Sequence, residues 1–282
     1  MKLIIPKHKK NSHKGENGKV LIVGGSEDYT GTLALAGLAA LRTGVDIVTI
    51  ACPEKVGWAI NSLSADLITK KFKCDSFTKK DVRKVLALSK NFDVVQIGNG
   101  LTLDKKALEF AKEIIKNVKN PLVVDADGIK AIGIKDVNNA IITPHILELA
   151  LFLENSGIKY HTIRKVIAEK NIIKKARLIQ KIIDVKNNVI LLKGPTDIII
   201  TKNRVAYVKG GNERLAVAGT GDILAGLTAG FLAQKLEPVQ AAYNASYINK
   251  KIGDYLKKKK GYSYIASDMI DDYCRVMRWT KK

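Results

Sequence analysis

The sequence predicts an α/β fold: a mostly parallel central sheet with helices on both faces. Three observations carry this reading. Short apolar, β-branched runs alternate with Ala- and Leu-rich or amphipathic stretches along the whole chain. Several of these runs stop at glycine or another turn residue, as buried parallel strands do. The residues capable of chemistry follow the ends of the runs, where open parallel sheets carry their sites.

Composition allows a large core. The chain has 282 residues, of which 46% are apolar, enough for one large α/β domain or two small ones. The absence of internal repeats, low-complexity tracts or an evident linker favours one. The net charge of +21 invites a nucleic-acid reading, but the excess is mostly Lys spread thinly, denser only at Lys7 to Lys14 and Lys257 to Lys260. Little aromatic interleaving accompanies it, so a solvated basic surface suited to anionic small molecules is expected rather than nucleic acid. Three widely spaced cysteines, Cys52, Cys74 and Cys274, imply no disulfide or zinc framework and fit a reducing cytoplasm. No apolar run is long enough for a signal peptide or a membrane span, so a soluble, intracellular protein is expected.

In chain order, Lys19 to Gly24 (KVLIVG) is a strand, Gly31 to Thr43 a helix and Asp46 to Ala51 a second strand. The intervening GGSEDYTG is not GxGxxG, which weakens a nicotinamide-dehydrogenase reading. Val94 to Ile97 is a strand leading into Gly98-Asn99-Gly100-Leu101, followed by a helix over Leu103 to Asn117 and a strand over Pro121 to Asp125. Asp125-Ala126-Asp127-Gly128 places two carboxylates at that strand's end, either as a polar exit with Asx-turn chemistry or as a metal or ribose contact. The strand Ala140 to Thr143 runs into Pro144 and His145. Pro144 is suited to begin a helix on whose first turn His145 and Glu148 share a face.

One amphipathic helix is expected over His161 to Ile183. Val189 to Lys193 is then a strand, Gly194-Pro195-Thr196 a turn, and Asp197 to Thr201 with Val205 to Val208 an antiparallel hairpin. Lys193, ending a buried strand, requires a partner, and a phosphate would serve. Pro238 to Lys257 is a helix, and Ser267 is expected to cap a last one over Asp268 to Met277.

The stretch Gly210 to Gln234 (GGNERLAVAGTGDILAGLTAGFLAQ) organises the rest. Ala218 to Asp222 offers unobstructed backbone N–H groups, and a helix beginning near Asp222 adds the positive end of its dipole, which makes an anion site. A carboxylate there repels a phosphate unless it accepts a proton from a group attacking that phosphate. By spacing alone, Asp222 is either such a base or a helix cap.

Taken in order, GNGL, DADG, TPHxxE, KGPTD and GNxxxAxAGTGDxLAG resemble the ribokinase-like superfamily, and within it the carbohydrate-kinase-type ADP- or ATP-dependent NAD(P)H-hydrate dehydratases. The resemblance runs from about Gly18 to about Gln234. It implies repair of hydrated NADH and NADPH by phosphorylation of the ring hydroxyl and loss of phosphate, with ATP or ADP as co-substrate and Mg²⁺ bridging the nucleotide phosphates. By the same resemblance Asp222 is the base, and the N–H groups of Gly219, Thr220 and Gly221 cradle the phosphoryl group. Lys193, Gly194, Pro195, Thr196, Asp197 and Gly221 fall on the nucleotide segment. Thr32, Leu33, Ala34, Gly98, Gly100, Asp125, His145 and Asn212, with Asp222, fall on or beside the hydrated-dinucleotide site; metal ligands are not implied.

Three positions in two segments depart from the family's usual pattern. Asp197 stands where Thr is frequent, bringing an acid toward nucleotide phosphates or ribose, and Ile146-Leu147 replace small residues after TPH. Relatives often form tetramers and often carry an N-terminal epimerase domain, for which this chain has no room; a separate epimerase is therefore expected. The main alternative is a kinase of a thiazole or pyrimidine alcohol in the same superfamily, and a more distant one is a nucleic-acid-binding protein that keeps the fold.

Overall fold

The computed structural model describes residues 1–279. The chain opens with β1 (Lys19–Val23), α1 (Thr30–Arg42), β2 (Ile47–Pro53), α2 (Glu54–Leu63) and β3 (Ile68–Phe72). It continues through α3 (Val82–Ser89), β4 (Val94–Ile97), α4 (Lys105–Asn117), β5 (Leu122–Val124), α5 (Asp127–Lys130) and β6 (Ala140–Ile142). Three helices follow, α6 (Ile146–Asn155), α7 (Tyr160–Ala168) and α8 (Ile172–Ile182), then β7 (Val189–Leu192), β8 (Asp197–Ile200) and β9 (Val205–Val208). The C-terminal part is helical: α9 (Thr220–Ala233), α10 (Pro238–Lys260), α11 (Ala266–Asp271) and α12 (Tyr273–Trp279).

Among the described residues, nine strands form one sheet in the order β3-β2-β1-β4-β5-β6-β7-β8-β9. The pairings through β7 are parallel, and β8 and β9 complete an antiparallel hairpin as the sequence predicts. The chain winds outward from β1 to β3, returns to the other side of β1 at β4, and then proceeds to β9. That reversal leaves a crevice between the C-terminal ends of β1 and β4, the place where open α/β sheets bind ligands.

Strand alternation divides the core. Val20 and Ile22 pack with α1, α2 and α9 to α12 on one face, while Leu21 and Val23 pack with α3 to α8 on the other. Helix α9 is buried almost all round, and its glycines explain how. A Cβ on Gly226 would lie 2.1 Å from the Ala36 carbonyl oxygen, and one on Gly230 would lie 2.3 Å from Thr43 Oγ1, so α9 and α1 cross with backbones nearly touching.

Several expectations are corrected. The stretch expected as one helix over His161 to Ile183 is two: Glu169 leaves helical geometry, and Asn171 starts α8 by accepting from the N–H groups of Ile173 and Lys174. Ser267 lies inside α11 rather than capping it. Asp268 closes that helix's first turn by accepting from Ile265 N, and the helix breaks at Asp272 before α12. Pro144 stays outside α6, which His145 caps. The helix expected near Asp222 begins two residues earlier, at Thr220. Elements α2, β3 and α3 carry weaker patterns; edge strand β3 reads ITKKF and alternates exposed with partly buried residues until Phe72.

Candidate functional site

The sequence-predicted features converge at the C-terminal edge of the sheet. Asp125 follows β5, His145 follows β6, Lys193 begins the turn after β7, and Asp222 lies in the first turn of α9. Together with Gly194, Pro195, Asp197, Asn212 and the segment Gly219 to Gly221 they line a cavity of about 740 Å³. A second cavity of about 460 Å³ lies at the opposite strand ends, among Lys7, His8, Asn17 and Lys235.

Gly219 precedes α9 with φ at +94°, a left-handed conformation that turns the chain so that the helix's first amides face the cavity. Those of Gly221 and Asp222 have no carbonyl one turn behind them, so they are available to an anion. The Thr220 amide instead faces Val217 O at 3.5 Å, and its hydroxyl donates to Leu215 O at 2.6 Å. The Lys193 ammonium lies over the cradle; a Cβ on Gly221 would be 3.7 Å from it.

Asp222 is therefore not a cap. Burial first, and the neighbouring Asp125 carboxylate second, push its pKa up to about 7. A hydrogen bond from Asn99 and the charge of Lys193 act the other way. A carboxylate held near neutrality is well matched to take a proton from an attacking hydroxyl.

Asn99 sits at the sheet's reversal point and is fully buried. Its Nδ2 donates to Asp222 Oδ1 at 2.7 Å and to Asp125 Oδ2 at 3.0 Å, while its Oδ1 accepts from Gln96 Nε2 at 2.8 Å. Its backbone carbonyl accepts from Gly25 N at 3.0 Å and leaves no space for a side chain at Gly24. In the sequence Asn99 stands out only as part of GNGL. Its sole signal is its place between two glycines at a strand end.

Asp125 is saturated: Thr143 Oγ1 donates to its Oδ1 at 2.7 Å, Lys193 Nζ to the same oxygen at 3.0 Å, and Asn99 to the other. The second acid of DADG, Asp127, turns away to accept from Thr102 N and Lys130. Between them Ala126 adopts φ of +48°, a strained conformation at the cavity wall.

Lys193 needs no phosphate to be neutralised, since protein carboxylates already pair with it. Burial opposes its charge, but Asp125 at 3.0 Å and Glu148 at 3.5 Å outweigh it and hold the pKa above the usual lysine range. Glu148 also ties this lysine to His145. Its Oε2 accepts from His145 N at 2.8 Å, and His145 Nδ1 accepts from Leu147 N at 3.1 Å and Glu148 N at 3.3 Å. With Nδ1 an acceptor, the imidazole proton belongs on Nε2, which lies 3.5 Å from Glu148 Oε1. His145 thus caps α6 while half of its side chain faces solvent.

Asp197 turns inward. Its carboxylate accepts from Gly194 N at 2.9 Å and Ser246 Oγ at 2.7 Å, and Lys250 Nζ lies 3.3 Å away. Lys250 also donates to the carbonyls of Gly194 at 2.9 Å and Pro195 at 3.2 Å. The acid that departs from the usual Thr therefore braces the Gly194-Pro195-Thr196 turn against α10. Asn212 opens a short 3-10 turn by accepting from Arg214 N at 3.0 Å and from Tyr264 Oη at 3.0 Å.

Six other predicted residues do not line this cavity. Thr196 is half-buried within the braced turn. Thr32, Leu33 and Ala34 lie in the first turns of α1; Leu33 is in the core beneath Gly24 and Gly25, and Ala34 is nearly so. Gly100 packs against Tyr29 and Thr32 with φ of +67°. A Cβ on Gly98 would lie 1.9 Å from Asp125 O, so this glycine lets the ends of β4 and β5 meet. Among the described residues no group of three or more His, Cys, Asp or Glu is placed to hold a metal ion.

A sequence profile of the NAD(P)H-hydrate dehydratase family matches residues 20–275. The bifunctional NAD(P)H-hydrate repair enzyme of Methanothermobacter thermautotrophicus is 35% identical over 282 residues, covering 98% of this chain and 52% of that enzyme. The chain thus spans about half the length of several relatives it matches. The ADP-dependent (S)-NAD(P)H-hydrate dehydratase of Nitrosopumilus maritimus is 30% identical over 283 residues, covering 99% of this chain and 94% of that one. The fold matches that of the ADP/ATP-dependent NAD(P)H-hydrate dehydratase of Bacillus subtilis, co-crystallised with ATP/Mg²⁺, with a TM-score of 0.79 and 25% identity over 98% of this chain and 94% of that one. By sequence and by fold, the chain belongs to the NAD(P)H-hydrate dehydratase family.

Proposed function

We propose that this chain restores NADH and NADPH from their hydrated forms at the expense of ATP or ADP. The observation that carries the proposal is Asp222, a carboxylate raised to about 7 among anion-binding amides and opposite Lys193. A base in that setting suits transfer of a phosphoryl group to a hydroxyl.

Asp222 takes the proton of the ring hydroxyl as its oxygen attacks the terminal phosphorus of the nucleotide, and the bond to the leaving phosphate breaks. The amides opening α9 hold the phosphoryl oxygens in transit. The ring nitrogen then expels the phosphate by breaking the carbon–oxygen bond, and loss of a proton from the adjacent carbon restores the dihydropyridine. Lys193 and the braced turn from Gly194 to Asp197 hold the nucleotide. Mg²⁺, when carried on the nucleotide, would offset phosphate charge; the carboxylates of Asp125 and Glu148 are already paired with Lys193. Thr32, Gly100 and the start of α1 receive the dinucleotide from the other side of Asp222. This reading leaves interconversion of hydrate epimers to another catalyst and includes assembly as a homotetramer in the cytoplasm. Light scattering tests the assembly.

The deciding assay combines the purified protein with chemically hydrated NADH, Mg²⁺ and either nucleotide, and follows the reduced-nicotinamide absorbance. Recovery is expected with at least one nucleotide. No recovery with either, alongside phosphorylation of a thiazole or pyrimidine alcohol, would assign the site to a vitamin-precursor kinase.

A further inference from the structure

Helix α10 presents three buried polar side chains at positions i, i+3 and i+4, which share one face: Ser246, Asn249 and Lys250. Two of them are engaged with the nucleotide turn. Ser246 donates to Asp197, and Lys250 binds Asp197 and the carbonyls of Gly194 and Pro195. Asn249, between them in sequence, lines the cavity and is only 7% exposed, yet its Oδ1 is sealed from solvent and meets no donor among the described residues. Leaving such an acceptor unpaired costs free energy that a ligand can recover.

The same cavity holds a group of complementary character: Asn212 Nδ2, a buried donor without an acceptor among the described residues. An apolar wall adjoins them. Leu215 lines the cavity and rests on Gly253, one helical turn beyond Asn249 on the same face of α10. A flat group with a donor and an acceptor on its edge and apolar faces suits this corner. A phosphate does not, because it brings no donor to the Asn249 carbonyl.

We infer that Asn249 reads the edge of the adenine base of the nucleotide held by the Lys193-to-Asp197 turn, its Oδ1 accepting from the exocyclic amino group. The inference rests on the nucleotide-dependent reading above and adds its base-specificity residue. Primary carboxamides pair with the adenine edge in this way. The contacts agree: Lys193 lies by Gly221 of the cradle, the turn follows Lys193 in the chain, and Lys250 of α10 binds that turn.

The test is calorimetric binding of ADP and ATP, against their hypoxanthine counterparts, to the full chain with Mg²⁺. Hypoxanthine replaces the amino donor with an oxygen, so the wild-type protein is expected to bind the adenine nucleotides roughly tenfold or more tighter. Asn249→Leu should bring both bases to within about threefold of each other, mainly by weakening adenine. Asn249→Ala, and wild-type binding of the purine nucleotide lacking the 6-amino group, give the same readout if the leucine variant does not fold. Equal weakening for both bases would place the carboxamide on ribose and overturn the inference, as would retained discrimination. Absence of any nucleotide binding by the wild-type chain would remove the proposed function as well.

Discussion

Asn99 Nδ2 donates to Asp222 Oδ1 at 2.7 Å while also holding Asp125, so one buried carboxamide fixes the spacing of two carboxylates on separate elements. Because a donor stabilises the ionised carboxylate, removing it raises the Asp222 pKa further. The proposed base works when unprotonated, so activity rises with pH through that pKa. Asn99→Leu is expected to displace the acidic limb of kcat against pH upward from about 7 and to lower kcat roughly tenfold to a hundredfold. An unchanged limb would mean that Asn99 acts only as packing.

Asp222→Asn separates catalysis from stability. Turnover should nearly vanish, with modest change in nucleotide affinity. The folded pKa of about 7 lies above the ordinary 3.8, so the folded chain holds its proton where the unfolded chain has lost it. Stability therefore falls as pH rises across that interval, by roughly 1.4 kcal/mol for each pH unit crossed. The asparagine variant carries no such penalty. Thermal unfolding should show it more stable than wild type at pH 8, by about 2 °C or more, and equal near pH 4.

Lys193→Met removes a cation that pairs with both Asp125 and Glu148. The apparent KM for nucleotide should rise at least tenfold or so, and stability should fall by on the order of 3 kcal/mol because two carboxylates lose their partner. Loss of that charge also raises the Asp222 pKa, moving the acidic limb in the same direction as Asn99→Leu. Initial rates across nucleotide concentration and pH check both effects.

Asp197→Ala strands the buried Lys250 ammonium and releases the Gly194-Pro195-Thr196 turn from α10. A raised nucleotide KM is expected together with destabilisation of about 3 kcal/mol, measured by denaturant unfolding. Adding Lys250→Met should restore much of the stability without restoring the KM.

Gly98→Ala tests the structural role of that glycine. Its φ of +125° disfavours any side chain, and the added methyl carbon would meet Asp125 O at 1.9 Å. A loss of about 3 kcal/mol or more is expected, with activity falling because β4 and β5 can no longer bring Asn99 to Asp125. Near wild-type stability would show that the loop relaxes freely.

Much of the site is legible in the sequence because strand ends in parallel sheets are punctuated by glycine and polar residues, and those residue types stand out of apolar runs. Lys193, Asp125, His145 and Asp222 are marked in this way, and the cavity gathers all four. Asn99 is not marked, since one amide in a loop has no periodicity to betray it. Asn249 and Lys250 are hidden for another reason: in the sequence they belong to a Lys-rich helix, and only packing buries one face of it.

The alternation of strands and helices, the antiparallel hairpin, the glycine cradle ahead of α9 and the family resemblance all follow from local pattern, which is written in consecutive residues. What each polar group touches was decided by packing. It buried the Asp222 carboxyl beside Asp125 and Asn99, set Asp197 against Gly194, Ser246 and Lys250, and paired Lys193 with protein carboxylates. Those outcomes depend on which distant segments meet at the sheet's reversal point, and burial and neighbouring charge exist only once they have met.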